Sequence, residues 1–466
     1  MIIVTEPLEK RPDGWQDHAM VVSPSRRLIG LRLADGVTRS NMRACLSMAF
    51  ASTMVISFLP AAQPYILSGV LGVPAYDQGK AVGLLGVAAE IAMIASLAWY
   101  GALADRYGRR PIAVAGFVLC ALGTALFPFA DSTAVLVALR VVFALGVAAL
   151  NGMLSTIAAD YVRDGSRGRS YGFVGLFSGL GAMVAVLALV RLPQILESGG
   201  TAPVTAARLS FLAIAAAVLA VGALMWFTLS RTRVAPAAER VPLARLIAEG
   251  VALARDPGIA LSYAAAFVAR ADLAVVAGFM SLWVTEHALA EGGLSGAEAL
   301  ARAGAVVGVA QTVAMLGAPL VGWLGDRMRR QDVVILAQAL AAVAYLSTLL
   351  VADPLGSGMM VVAVLIGLGE IAVITTAGPL LAQQAPAAVR GSAYGVQTLC
   401  GAVGILVVSG LGGYLYDAWR PAAPFVVAGV AGLLVVAFGL LVRRRVTPLG
   451  EPPAPRQAPA IRPAPP

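Results

Sequence analysis

The chain alternates long apolar runs with short charged ones. Runs of about 20 apolar residues, each long enough to cross about 30 Å of hydrocarbon as a helix, fall at residues 44–70, 79–100, 111–130, 133–158, 171–190, 207–229, 258–285, 300–323, 332–352, 357–383, 392–414 and 421–442. The pattern predicts an all-α membrane protein of twelve transmembrane helices. Composition agrees: 59% of residues are apolar, only 13% are charged, and mean hydropathy is +0.83, far from a soluble domain.

The polar intervals are unequal on the two faces. Arg26, Arg27, Arg39, Arg43, Arg106, Arg109, Arg110, Arg163, Arg167, Arg169, Arg327, Arg329, Arg330, Arg390 and Arg443 to Arg445 fall on one side, and Lys80, Arg191, Arg208, Arg302 and Arg420 on the other. Short cytoplasmic loops retain Lys and Arg, so both termini are expected in the cytoplasm. Topology thereby accounts for the net charge of +9, with no nucleic-acid partner invoked. Residues 1–43 are polar and lack the pattern of a removable signal peptide; the Pro/Ala-rich tail 446–466 is expected to be disordered. Cys45, Cys120 and Cys400 share no metal-ligand spacing, and neither a metal nor a cofactor is expected.

The chain also repeats itself. Gly101-Ala102-Leu103-Ala104-Asp105-Arg106-Tyr107-Gly108-Arg109-Arg110, after the second run, returns after the eighth as Gly322-Trp323-Leu324-Gly325-Asp326-Arg327-Met328-Arg329-Arg330. Arg167-Gly168-Arg169-Ser170-Tyr171-Gly172, after the fourth run, returns after the tenth as Arg390-Gly391-Ser392-Ala393-Tyr394-Gly395. Two six-helix halves, 44–229 and 258–445, follow, joined by a polar connector, 230–257, whose stretch from Val241 to Arg255 has the period of an amphipathic surface helix.

The first of these loops, G-x-L-x-D-R-x-G-R-R with a degenerate second copy, resembles the signature of the major facilitator superfamily, over about residues 40–445. The resemblance implies parallel halves rocking about a cavity lined by the first, fourth, seventh and tenth helices, in a bacterial cytoplasmic membrane and as a monomer. It implies that the acid at Asp105 caps a helix of the opposite half and that Arg109 pairs with an acid ending the fourth helix, here Asp160. Such contacts would exist only when the cytoplasmic side is closed and would latch it shut, with Gly101 and Gly108 allowing close approach and Asp326 and Arg327 as the weaker second copy. The alternative, arginines that only anchor topology, leaves Asp105 unexplained. Arg140-Val141-Val142-Phe143-Ala144-Leu145-Gly146 resembles the family's fourth-helix arginine motif, with Ala144 where glycine is frequent. The fifth run lacks the Gly-Pro pair of the family's drug/proton antiporters.

Charges inside the runs are costly unless they face protein or water. Glu90, Arg140, Arg270, Asp272 and Glu370 lie well inside. Arg270 and Asp272 point about 200° apart on a helix, so partners must come from other helices; Arg140 with an acid and Arg270 with Glu370 are candidate pairs. Three acids against two arginines leave one carboxyl without an ionic partner, as proton coupling requires. Both histidines, His18 and His287, lie outside the runs, so the carrier is a carboxyl: Asp272 or Glu370 ahead of Glu90. Gln63, Asn151, Gln311 and Gln397 could bond a substrate. No nucleotide-binding loop or HExxH sequence occurs, and no histidine is placed to serve a nucleophile within the runs, so an enzyme is not expected. The expectation is a secondary transporter of a small organic solute, anionic, polar or amphipathic, driven by protons in symport or antiport. Multidrug-type efflux of lipophilic compounds is the alternative, and a sensor that moves nothing is a further one.

Overall fold

A computed structural model describes residues 27–29, 31–34, 36–163, 167–230, 243–291, 293–386 and 389–446. Fifteen α-helices span them: α1 (Arg39–Gly69), α2 (Ala75–Tyr107), α3 (Arg109–Leu126), α4 (Thr133–Asp160), α5 (Arg167–Leu187), α6 (Leu192–Ser198), α7 (Pro203–Thr228), α8 (Leu243–Ala252), α9 (Pro257–Ala274), α10 (Ser281–Ala290), α11 (Gly296–Arg327), α12 (Arg330–Leu346), α13 (Ser357–Gln384), α14 (Arg390–Ala418) and α15 (Ala423–Val442). Among the described residues, twelve helical stretches are long and apolar enough to cross a membrane, and each coincides with an expected run. Local chemistry sets several boundaries. Thr38 and Asn41 form a capping box at α1, Ser295 and Glu298 another at α11, and Ser132 caps α4, satisfying backbone donors that a helix start leaves free. The tail 447–466 and the connector's residues 231–242 lie outside the described residues.

Two departures from the expected pattern matter. The seventh run is interrupted: residues Val275–Met280 form a π-helical turn between α9 and α10, a wider winding that displaces the side chains after it. The N-terminal segment is partly structured as well. A short hairpin, β1 (Arg27–Leu28) with β2 (Leu31–Arg32), buries Leu31 and Leu33 and laces the end of α4: Leu33 bridges Val162, and the Ala34 amide donates to the Tyr161 carbonyl at 3.0 Å. The expected surface helix is α8. Its Gly250 sits so close to α14 that an added Cβ would meet the Ser392 carbonyl oxygen at 2.6 Å, and its carbonyl accepts from the Tyr263 hydroxyl at 2.9 Å.

The duplication is visible in the side chains. The Tyr171 hydroxyl donates to the Ser155 carbonyl at 3.1 Å, and at the matching place in the second half the Tyr394 hydroxyl donates to the Gly378 carbonyl at 3.1 Å. The halves meet through α2 against α14 and α5 against α11, and these contacts lie toward the face away from the arginine loops. There, a Cβ on Gly79 would strike Asp417 and Tyr416, one on Gly83 the Ser409 carbonyl, and one on Gly304 the Val186 carbonyl, so glycine is what allows these backbones to touch. On the basic face the same helices diverge: Cβ atoms added to Gly172, Gly175, Gly322, Gly325, Gly391 or Gly395 would meet nothing within 4 Å. The cleft between the halves is therefore closed on one face and open on the basic one.

Candidate functional site

A cavity of about 200 Å³ sits where the halves face each other. Ser57, Pro60 and Gln63 of α1, Glu90 and Met93 of α2, Arg140, Phe143 and Asn151 of α4, Arg270 of α9, Phe279 of the π turn, and Ile405 and Ser409 of α14 line it. Most of this wall is apolar, so its few charges dominate its chemistry.

Each charge is placed by close packing behind it. Arg140 rests over the Phe143 ring, 5.3 Å from its centre, one helical turn away and in reach of a cation–π contact. α4 can approach α3 there because Gly146 lets its backbone lie against Cys120 and Gly123 faces Phe143. Arg270 lays its methylenes across Gly401 of α14, where a Cβ would collide with its Cδ. Among the described residues, Arg140 Nε and Nη1, Arg270 Nε and Glu90 Oε2 are buried without hydrogen-bond partners. Arg270 acts on Glu90 through space. Two arginines from opposite halves thus share one chamber with one described carboxyl.

Other candidates are distributed differently. Gln63 and Asn151 line the cavity. Glu370 does not pair with Arg270: it is buried between α11 and α13, where Gln311 Nε2 donates to both its oxygens at 3.3 and 3.4 Å. Neither Gln311 nor Glu370 is among the residues that line the cavity. Gln397 is also turned away from it, donating to Ser262 Oγ at 2.7 Å to tie α14 to α9. The side chains of Asp105, Asp272 and Asp326, and the surroundings of Gly101, lie outside the described residues.

At the signature loop, Arg109 and Asp160 form an ion pair, and Arg109 Nη1 reaches the Thr156 carbonyl at 3.5 Å. Both belong to the first half, so the pair exists with the basic face open, and the expectation that it forms only on closure is corrected. Gly108 has a φ of +91°, a conformation other residues rarely adopt, and with the basic face open no atom lies within 4 Å of an added Cβ. That conformation makes the turn between α2 and α3. Arg327 stacks on Trp323, 4.0 Å from the ring centre.

The contacts holding the opposite face shut were not anticipated. Asp417, at the end of α14, accepts from the Gly79 and Lys80 amides at 2.9 and 2.7 Å, capping the first turns of α2 across the interface. The Tyr416 hydroxyl donates to Glu286 at 2.5 Å, and Ser281 Oγ donates to the Ala61 carbonyl at 2.6 Å. Glu286 lies just past one predicted run and Asp417 beyond another, where acids read as ordinary solvated loop residues.

Two six-helix halves around a charged cavity open on one face define a membrane transporter of the two-repeat type. The profile of the Major Facilitator Superfamily matches residues 44–317 and 263–465, and the chain belongs to that family. It is 28% identical over 411 residues to magnetosome protein MamH of Paramagnetospirillum magneticum, covering 86% of this chain and 91% of that one. It is 27% identical over 394 residues to magnetosome protein MamZ of the same organism, but spans only 58% of that longer protein. The niacin transporter NiaP of Acinetobacter baylyi matches at 32% identity over 97 residues, 21% of this chain and 22% of that one. Among solved structures, the nucleoside transporter NupG superposes with a TM-score of 0.71 at 11% identity, over 86% of this chain and 99% of that one. A bacterial homologue of the human lysosomal transporter Spinster, inward-facing and occupied, superposes with 0.61 at 18%, over 87% and 96%. At these identities the structures speak for the fold.

Proposed function

We propose that the chain is a secondary active transporter of a small organic solute bearing an anionic group, working by alternating access with a proton as coupling ion. One observation carries the substrate class: Arg140 from the first half and Arg270 from the second line the same cavity, and each has buried N–H groups without a hydrogen-bond partner. A buried guanidinium without an acceptor is costly, so an anion that satisfies both is bound tightly and touches both halves at once. The apolar remainder of the wall suits a compact hydrocarbon or aromatic body, and about 200 Å³ favours a solute smaller than an ordinary drug-sized ligand. The local likeness to a niacin transporter supports the same class, niacin being a small aromatic acid.

Glu90 is the leading proton carrier, followed by Asp272. It shares the cavity with Arg270, so a proton on Glu90 removes a negative charge that competes with the substrate anion for Arg270, whereas Glu370 is engaged by Gln311 outside the cavity. The basic face is cytoplasmic, with both termini, in a bacterial cytoplasmic membrane, and one chain is the working unit. The open cleft is then the inward-open state, and closing it brings the Asp105 loop against the second half as a latch. The apolar wall also favours a second reading, efflux of lipophilic compounds by proton antiport.

The test is a thermal-shift screen of purified protein at two pH values against aliphatic and aromatic carboxylates, sugars and lipophilic cations, since a ligand stabilises the state it binds. Stabilisation by carboxylates that disappears in Arg140→Ala and Arg270→Ala supports the anion reading. Stabilisation by lipophilic cations alone, dependent on Glu90, favours efflux. Binding with no flux in vesicles makes the protein a sensor.

A further inference from the structure

The two halves treat one duplicated arginine differently. In the first half, Arg109 at the start of α3 pairs with Asp160 at the end of α4 and reaches the Thr156 carbonyl. Its counterpart in the second copy of the loop is Arg330, at the start of α12. The register that matches Tyr171 with Tyr394 and Ser155 with Gly378 also matches Thr156 with Pro379 and Asp160 with Gln383. The carboxylate is missing from the second copy. Among the described residues, Arg330 has no ion pair or hydrogen bond, and Gln383 Oε1 is buried without a partner.

At that place a pocket of about 190 Å³ opens, lined by Gly322 and Gly325 of α11, Arg330 of α12, and Thr375, Thr376 and Pro379 of α13. Several arginines lie nearby. Arg327 and Arg329 are exposed beside it, the first-turn acid Asp332 is taken by Arg443 at 2.6 and 3.1 Å, and α12 begins at Arg330 without a side-chain cap, adding the positive end of its dipole. Both threonine hydroxyls now donate within their own helix and can rotate to donate to a ligand. We infer that this pocket binds a phosphate-type oxyanion, which supplies to Arg330 the acceptor that Asp160 supplies to Arg109. On the basic face such a group comes from an anionic lipid headgroup or from free phosphate. This site is separate from the central cavity and stands whether or not the transported solute is an anion.

The full-length protein is purified in detergent and titrated with inorganic phosphate at constant ionic strength, reading melting temperature; in parallel it is reconstituted with phosphatidylglycerol, and lipid retention is read by native mass spectrometry. Arg330→Gln should weaken phosphate or lipid binding about tenfold or more, the scale of a lost charge-assisted contact. Gln383→Asp should rebuild the internal pair, raise the ligand-free melting temperature and abolish the response, while Arg140→Ala keeps it. A response to inorganic phosphate identifies the free anion, and retention of phosphatidylglycerol alone identifies the headgroup. Binding that persists in Arg330→Gln, binding lost in Arg140→Ala instead, or no binding by the wild type overturns the inference.

Discussion

Two buried glutamates that look alike in the sequence differ sharply once their neighbours are known. Glu370 is enclosed with Gln311 as its partner, and an amide of the same shape can take the place of its carboxyl there. Glu370→Gln should leave proton-driven accumulation within about twofold of wild type, its stability change staying near the roughly 1 kcal/mol of one hydrogen bond. Glu90→Gln should abolish accumulation against a gradient while substrate counterflow survives, because exchange needs binding but not a titrating group. Both variants are compared in the same vesicle assay with a labelled substrate, and loss of accumulation in Glu370→Gln with none in Glu90→Gln would reverse the assignment. Neither outcome was legible in the sequence, since a run of apolar residues shows how deep a carboxyl lies but not which neighbour it faces.

Helix pairs decide which face of the molecule is closed. Where α2 crosses α14, Gly79, Gly83 and Gly413 allow backbone contact, and a Cβ on Gly413 would lie 2.6 Å from the Gly79 carbonyl oxygen. Gly413→Ala should therefore disfavour the closed arrangement of that face. Distances between spin labels on the outer ends of α2 and α14 are expected to lengthen in a larger fraction of molecules. Asp417→Asn should act in the same direction through a different force, because an amide accepts more weakly than a carboxylate from the Gly79 and Lys80 amides. A loss of about 1 kcal/mol there changes the ratio of open to closed forms about fivefold. Unchanged distance distributions in both variants would show that this interface does not set the equilibrium. The π turn Val275–Met280 belongs to the same scale: its composition is that of any apolar helix, and the wide winding that brings Phe279 to the cavity wall is visible only in the folded chain.

At the scale of the whole molecule, the open basic face and the Asp105 loop form one prediction. If the loop latches the closed state, Asp105→Asn should cut transport severalfold without lowering expression, and labels on the basic ends of the two halves should report the open form more often; wild-type rates would exclude the latch. The twelve spans, the duplication and the unequal charge of the loops were determined by the sequence alone, because length, periodicity and charge act locally and a bilayer rewards them without reference to distant contacts. Site membership was not. Arg140 and Arg270 lie in different halves of the chain, and only the packing of α4 and α9 around Gly146 and Gly401 turns both toward one chamber. The same packing withdrew Glu370, Gln311 and Gln397 from that chamber and set Asp417 against α2. Which buried polar groups meet is a property of rotation and close approach between helices, and single-sequence periodicity leaves both undetermined in helices as evenly apolar as these.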